Sequence, residues 1–309
     1  MATNRTRLDA LRLAVVFAAL CFLSCAWSAK ASAQYGWPVK PFDRQHPVRG
    51  FFGDPRIEGR VRQFHFGVDV SAPDGTPVYA TLTGRVYVEP ERPETVAIRS
   101  DDTAVVFAYW HLVPVVRTGQ RAVAYKTVIG RIARGWGHVH FSESRRGRYL
   151  NPLRPGAMTP FADTMGPVIR AVQVERRGRP LAPEALRGSV DLVVDAFDRT
   201  PLQVASPWRD LPVMPTVVRW RIRGAGHAST PWRTAVDFRT TIPSADAFAK
   251  VFALWTRQNH PNRAGRYRVY LARGWNASAS AGDECRVQVA VTDARGNTAS
   301  MTRLLRLAA

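Results

Sequence analysis

The sequence predicts an all-β protein: an antiparallel β-sheet domain followed by an immunoglobulin- or fibronectin-like β-sandwich with one inserted helix. Three observations lead there. Short β-type runs broken by turn signals fill residues 64–150, from HFGVDV and VYATLTGRVYV to TVAIRS, TAVVFAYWHL, KTVIGRIA and HVHFSES. No helical period is sustained between residues 50 and 150. Further on, SVDLVVDAFD, VVRWRIRG, RYRVYLARGW and CRVQVAVTD alternate apolar with polar residues, as the strands of a sandwich do.

Residues 1–33 stand apart from this pattern. Arg5, Arg7 and Arg12 form a basic start, Leu13 to Trp27 is an apolar run, and Ala31-Ser32-Ala33 is a small-x-small cleavage site. That order predicts a secretory signal peptide, because the apolar run is short for a membrane span. An uncleaved anchor and a lipoprotein built on Cys21 or Cys25 are the alternatives, although Phe22-Leu23-Ser24 is a poor lipobox. The expectation is cleavage before Gln34 and a product in the periplasm, the extracellular space or the cell wall, with no stable membrane span.

The first domain is expected over residues 34–160. It opens on a Pro-, Gly- and aromatic-rich loop, YGWPVKPFDRQHPVRGFFGDPR, and closes on NPLRPG. Residues 161–168 read as a linker and residues 169–309 as the sandwich. There Val287, Val289 and Val291 share one strand face, with ARGN as the following turn. Ser244 is a candidate N-cap for a helix ADAFAKVFALWTR, whose Phe248, Val251, Phe252 and Trp255 make an apolar stripe for the core.

The 309 residues suffice for two cores, and 46% hydrophobic with 22% charged residues excludes a disordered chain. The net charge of +20 falls to +17 when four basic residues and one acidic residue leave with the leader. Such a charge favours polyanionic partners. The basic residues are dispersed, without nucleic-acid-binding motifs, so an anionic wall or membrane surface is expected and nucleic acid is not. Cleavage leaves Cys285 as the sole cysteine, a buried, inert thiol in a strand that cannot form an intramolecular disulfide.

Four of the seven histidines carry the chemistry. In a strand, residues an even number apart share a face, so His65 and Asp69 of HFGVD look one way, as do His138 and His140 of HVH. Two histidines with one aspartate make a normal zinc ligand set with one position left open, whereas structural zinc sites are usually closed by cysteines. His111 follows the hydrophobic run VVFAYW.

The order HFGVDVSAPDGTPVYATLTGRV, AYWHL, TGQRAVAYKTVIGRI, GHVHFSE and RYLNPL resembles the M23 (LytM/lysostaphin-type) metallopeptidases, over about Trp37 to Pro155. The resemblance implies a β-rich zinc enzyme that cuts peptide bonds in bacterial peptidoglycan. It implies that His65, Asp69 and His140 hold the metal. It further implies that His111 and His138 orient and deprotonate water or stabilise the oxyanion, either of them being the base. The sequence departs from the family in a short ARGWG loop carrying Trp136. It also has Ser142 where a glutamate often follows the histidines, with Glu143 one position on; both departures are expected to shape the groove. Arg56, in a segment that also resembles the family, is a candidate for lining it, as is Trp136.

The resulting expectation is an exported zinc endopeptidase acting on peptidoglycan. The alternatives are a non-catalytic wall-binding or amidase-regulating protein, and a secreted peptidase acting on ordinary proteins. His46, His227 and His260 lack ligand spacing and are expected to be structural. Asp195 and Asp198 lack an EF-hand's ligand count and are not expected to bind calcium.

Overall fold

Thirteen short strands build the first half of the molecule: β1 (Val48–Gly50), β2 (Pro55–Glu58), β3 (Val61–Phe64), β4 (Val68–Ser71), β5 (Pro77–Tyr79), β6 (Gly84–Val88), β7 (Val96–Ser100), β8 (Val105–Trp110), β9 (Leu112–Pro114), β10 (Arg121–Ala122), β11 (Val128–Ile132), β12 (His138–Arg145) and β13 (Arg148–Leu150). The computed structural model describes residues 34–184, 186–224, 230–277 and 284–308, so the expected signal peptide and His227 lie outside the described residues. Among the described residues no helix is long and apolar enough to cross a membrane.

The main sheet runs β1-β4-β12-β8-β7-β6-β10, with β13 also paired to β12, and every pairing is antiparallel. A second sheet, β5-β11-β9, and a hairpin, β2-β3, complete this half. Alternation in β12 explains its place at the centre. Val139 and Phe141 are fully buried in the core, while His138 and His140 occupy the other face.

The second half is two four-stranded antiparallel sheets enclosing one core. One comprises β14 (Val168–Arg176), β15 (Arg179–Pro180), β16 (Ser189–Phe197) and β19 (Arg268–Asn276); the other comprises β17 (Val217–Gly224), β18 (Arg233–Asp237), β20 (Glu284–Thr292) and β21 (Thr298–Arg306). Val287, Val289 and Val291 of β20 face inward as their period-two spacing requires. Cys285, on the same strand, is a free, buried thiol.

The expected helix is far shorter than its apolar period suggests. A single 3-10 turn at Ala245–Ala247 leads into one turn of α-helix, α1 (Phe248–Val251). Ser244 caps nothing with its side chain; its hydroxyl bonds the Asp246 carboxylate instead. At Phe252 the backbone becomes extended and bridges Val269, because its ring packs on Phe64 of β3 at 5.6 Å. Trp255, expected in the core stripe, is 69% exposed. Tertiary packing overrides a marginal local preference here, as is usual for short helices.

Residues Tyr35–Ala309 form one compact unit in which the two cores interlock. Phe52 and Phe64, from the first half, belong to the core of the second, and Val213, from the second, belongs to the core of the first. Buried Asp54 accepts hydrogen bonds from the Phe51 and Met214 amides, at 2.8 and 2.7 Å. Desolvation pushes its carboxyl up to about 6. Asn151, in the segment expected to close the first domain, donates to the Phe238 carbonyl at 2.9 Å. The stretch expected as a linker is anchored too: Phe161 is buried, and its carbonyl accepts the Arg295 Nε–H at 2.8 Å.

Candidate metal centre

Three donor atoms converge at the middle of the main sheet. His65 Nε2 lies 2.8 Å from His140 Nδ1 and 3.1 Å from Asp69 Oδ1, and the last two are 3.2 Å apart. Strand register brings two of them together, since His140 of β12 sits directly opposite Asp69 of β4.

His65 arrives by another route than the shared strand face expected from HFGVD. It follows the end of β3, and β4 begins only at Val68, so a bend at Gly67 separates His65 from Asp69. That bend needs glycine: a Cβ there would lie 2.3 Å from the Phe141 carbonyl oxygen and 2.7 Å from His140 Nε2.

The surroundings orient each group. His65 Nδ1–H donates to the Phe51 carbonyl at 2.8 Å, which leaves the Nε2 lone pair facing the cluster. Asp69 presents Oδ1 to the histidines while its Oδ2 accepts the Arg56 Nη2 donor at 2.6 Å. Arg56, expected as a groove residue, therefore holds a carboxylate in place; it also borders the cleft.

His140 packs edge-on against Phe66 with ring centroids 4.8 Å apart, and its buried Nε2 has no hydrogen-bond partner among the described residues. Burial would raise the Asp69 pKa, but His65, Arg56 and His138 hold it well below the usual carboxylate range. Burial lowers His65 and pushes His140 down to about 4, so both imidazoles are neutral and keep lone pairs to offer.

This donor set fits zinc. Tetrahedral ligands at ordinary Zn–N and Zn–O bond lengths lie about 3.4 Å from one another, close to the separations seen here. Two neutral imidazoles and one carboxylate, with one histidine fixed from behind by a backbone carbonyl, are also the usual chemistry of a zinc site.

His138 and His111 lie beside the three. His138 Nδ1–H donates to the Trp136 carbonyl at 2.8 Å, and its Nε2 is 3.4 Å from Asp69 Oδ1. His111 sits between β8 and β9 with φ of 68°, a left-handed conformation rare outside glycine. Its ring stacks on Trp136 with centroids 3.6 Å apart and planes within 12°, and lies 4.7 Å from the His138 ring. Burial, then the neighbouring His138, pushes His111 down to about 3.

Trp136 is held through its neighbours: the amides of Gly135 and Gly137 donate to the two oxygens of Asp74 at 2.7 and 2.8 Å. Those bonds lower the Asp74 carboxyl. Glu143 does not shape the groove as expected. It lies on the core face of β12, buried, with Arg154 and Tyr35 bonded to it at 2.7 Å.

A cleft of about 370 Å³ opens over the histidines. Sequence reasoning missed several of its walls. Arg49 of β1 lies 4.1 Å over the ring of Trp208, a residue of the second half, and burial lowers its guanidinium to about 10. Gln258 and Asn259, also from the second half, line the same cleft. No local pattern marks such residues, because only long-range packing assembles them. His46 and His260 stay away from the site: His46 Nε2–H donates to the Pro41 carbonyl at 2.9 Å, and the His260 backbone pairs with Arg263 in a turn.

Residues 63–152 match the family model described as Peptidase family M23. No curated protein matches the chain. Among solved structures, the chain is similar to one described as the SpoIIQ–SpoIIIAH pore forming complex, at 22% identity and a TM-score of 0.33, over 40% of this chain and 90% of that one. It is similar to a zinc containing peptidase from Vibrio cholerae at 25% identity and a TM-score of 0.32, over 39% of each chain. It is also similar to a mutant catalytic domain of the prophage-encoded M23 protein EnpA from Enterococcus faecalis, at 26% identity and a TM-score of 0.31, over 41% of this chain and 99% of that one. Residues 63–152 of this chain belong to peptidase family M23.

Proposed function

We propose that this protein is an exported zinc endopeptidase that hydrolyses peptide bonds of bacterial peptidoglycan. In this reading residues 34–160 form the catalytic domain, and residues 169–309 form a sandwich that walls its cleft. The convergence of His65 Nε2, Asp69 Oδ1 and His140 Nδ1 within 3.2 Å of one another, with His138 and His111 beside them, carries the proposal. The family match over residues 63–152 supports it, as does a charge that favours an anionic polymer.

His65, Asp69 and His140 hold the zinc, which when bound supplies a Lewis acid that polarises an amide carbonyl and acidifies water. His138 takes a proton at Nε2, because its Nδ1–H is committed to the Trp136 carbonyl. His111, uncharged at neutral pH, orients the reacting groups as a neutral imidazole held flat against Trp136. Arg56 keeps Asp69 turned toward the metal position. Trp136 offers the exposed edge of its ring to the substrate peptide.

Incubation with purified peptidoglycan, with and without a zinc chelator, followed by mass spectrometry of the released fragments, tests this. Chelator-sensitive cleavage is expected. A protein that holds one equivalent of zinc yet releases nothing is a binding module and not an enzyme. His138→Ala is expected to retain zinc and lose turnover by about 10²–10⁴-fold, while His140→Ala loses the metal itself.

A further inference from the structure

Three carboxylates outside the histidine cluster meet where the chain passes from the first core to the second. Asp163 belongs to the connecting segment, Asp198 follows β16, and Asp293 opens the turn between β20 and β21. One oxygen of each lies within 4.8 Å of the others. The three residues are only 9%, 1% and 3% exposed. Asp195, paired with Asp198 in the sequence reading, is not among them; it bonds Arg266 at 2.5 Å.

Most oxygens of this cluster have local donors. Asp163 Oδ1 accepts the Met165 amide at 2.9 Å, and Asp198 Oδ1 the Arg199 amide at 2.8 Å. Asp293 is bonded on both oxygens, by the Arg295 and Asn297 amides and by Asn297 Nδ2. Asp198 Oδ2 is different: it is buried and has no hydrogen-bond partner among the described residues. Among the described residues no lysine or arginine forms an ion pair with any of the three. Arg295 directs its Nε–H to the Phe161 carbonyl and lies 4.8 Å over the Phe161 ring.

A buried carboxylate oxygen without a donor, beside two further carboxylates, is unfavourable unless a proton or a cation stands among them. Burial, then the repulsion of Asp163 and Asp293, pushes Asp198 up to about 8, and burial pushes Asp163 up to about 6. A divalent cation would relieve the same repulsion. The donors are all hard oxygens, with no imidazole or thiolate, which selects against zinc. Flexible carboxylates drawn from three separate segments suit calcium better than magnesium, which demands near-octahedral geometry and retains its waters.

We propose that Asp163, Asp198 and Asp293 form a second cation site, specific for calcium, which ties the connecting segment to the sandwich. The site is independent of the histidine cluster and of any catalytic activity.

Calcium titration of the full chain by calorimetry, paired with thermal unfolding over a calcium series, tests the proposal. One calcium per chain is expected, with Kd on the order of 10⁻⁴ M and a Tm that climbs with calcium concentration. Asp198→Asn and, separately, Asp163→Asn should each remove both effects, whereas His140→Ala should keep both. A wild-type protein with neither a binding isotherm nor a Tm response overturns the site, and needs no variant to fold. An Asp163→Asn protein that keeps the full response overturns it as well. If His140→Ala abolishes the response, calcium binds at the histidines and the proposal fails.

Discussion

At the scale of single residues, the proposed zinc site depends on close packing that leaves no room for added side-chain atoms. Gly67 is the tightest of these points, because the His140 ring and the Phe141 carbonyl occupy the space a side chain would need. Gly67→Ala must therefore push His140 off its position opposite Asp69. The expected result is a loss of zinc affinity of about 10–100-fold, measured by competition with a chelating dye, with the β-rich circular dichroism spectrum retained. Undiminished affinity would show that the bend is not what places His140. The same closeness explains why one ligand was harder to read than the others. His138 and His140 follow from a period of two in one strand, but His65 reaches Asp69 around a bend, and spacing in the sequence describes no such path.

At the scale of elements, the short ARGWG loop is tied down by the Asp74–Gly75 turn. The two amides bound to Asp74 flank Trp136, and Trp136 in turn carries His111 on its face. Asp74→Ala should free the loop without touching the three metal donors. Zinc content should be unchanged and kcat/KM on peptidoglycan fragments should fall about tenfold, since a catalytic group displaced by a fraction of an ångström loses its alignment. Unchanged kinetics would mean that the loop needs no such anchor. Elements also mark where local reading failed. The stretch after Ser244 has the apolar period of a helix, yet Phe252 gains more from packing on Phe64 and bridging Val269 than from another helical turn.

At the scale of the whole molecule, the boundary expected near residue 160 does not separate two self-sufficient cores. Phe64 packs on Phe238, Phe248 and Phe252, Phe52 is buried in the same core, and the amide of Met214 completes the bonding of Asp54. A fragment spanning residues 34–160 would expose both phenylalanines and leave the buried Asp54 short of a partner. It is expected to bind hydrophobic dyes and to aggregate, whereas residues 34–309 unfold in a single cooperative transition by calorimetry. A soluble fragment that binds zinc with full affinity would contradict this.

The sequence by itself determined the β class of both halves, the shared face of His138 and His140, and the motif order that makes His65, Asp69 and His140 ligand candidates. These depend on alternation along single strands and on a motif order confined to about ninety residues, the span that the family model matches at 63–152. Only the tertiary structure decided that Trp208, Gln258 and Asn259 wall the cleft, that Arg56 restrains Asp69, and that Asp163, Asp198 and Asp293 meet. The physical reason is separation along the chain. Strand periodicity acts between neighbours, while these contacts join residues that approach only when two hydrophobic cores close over shared side chains.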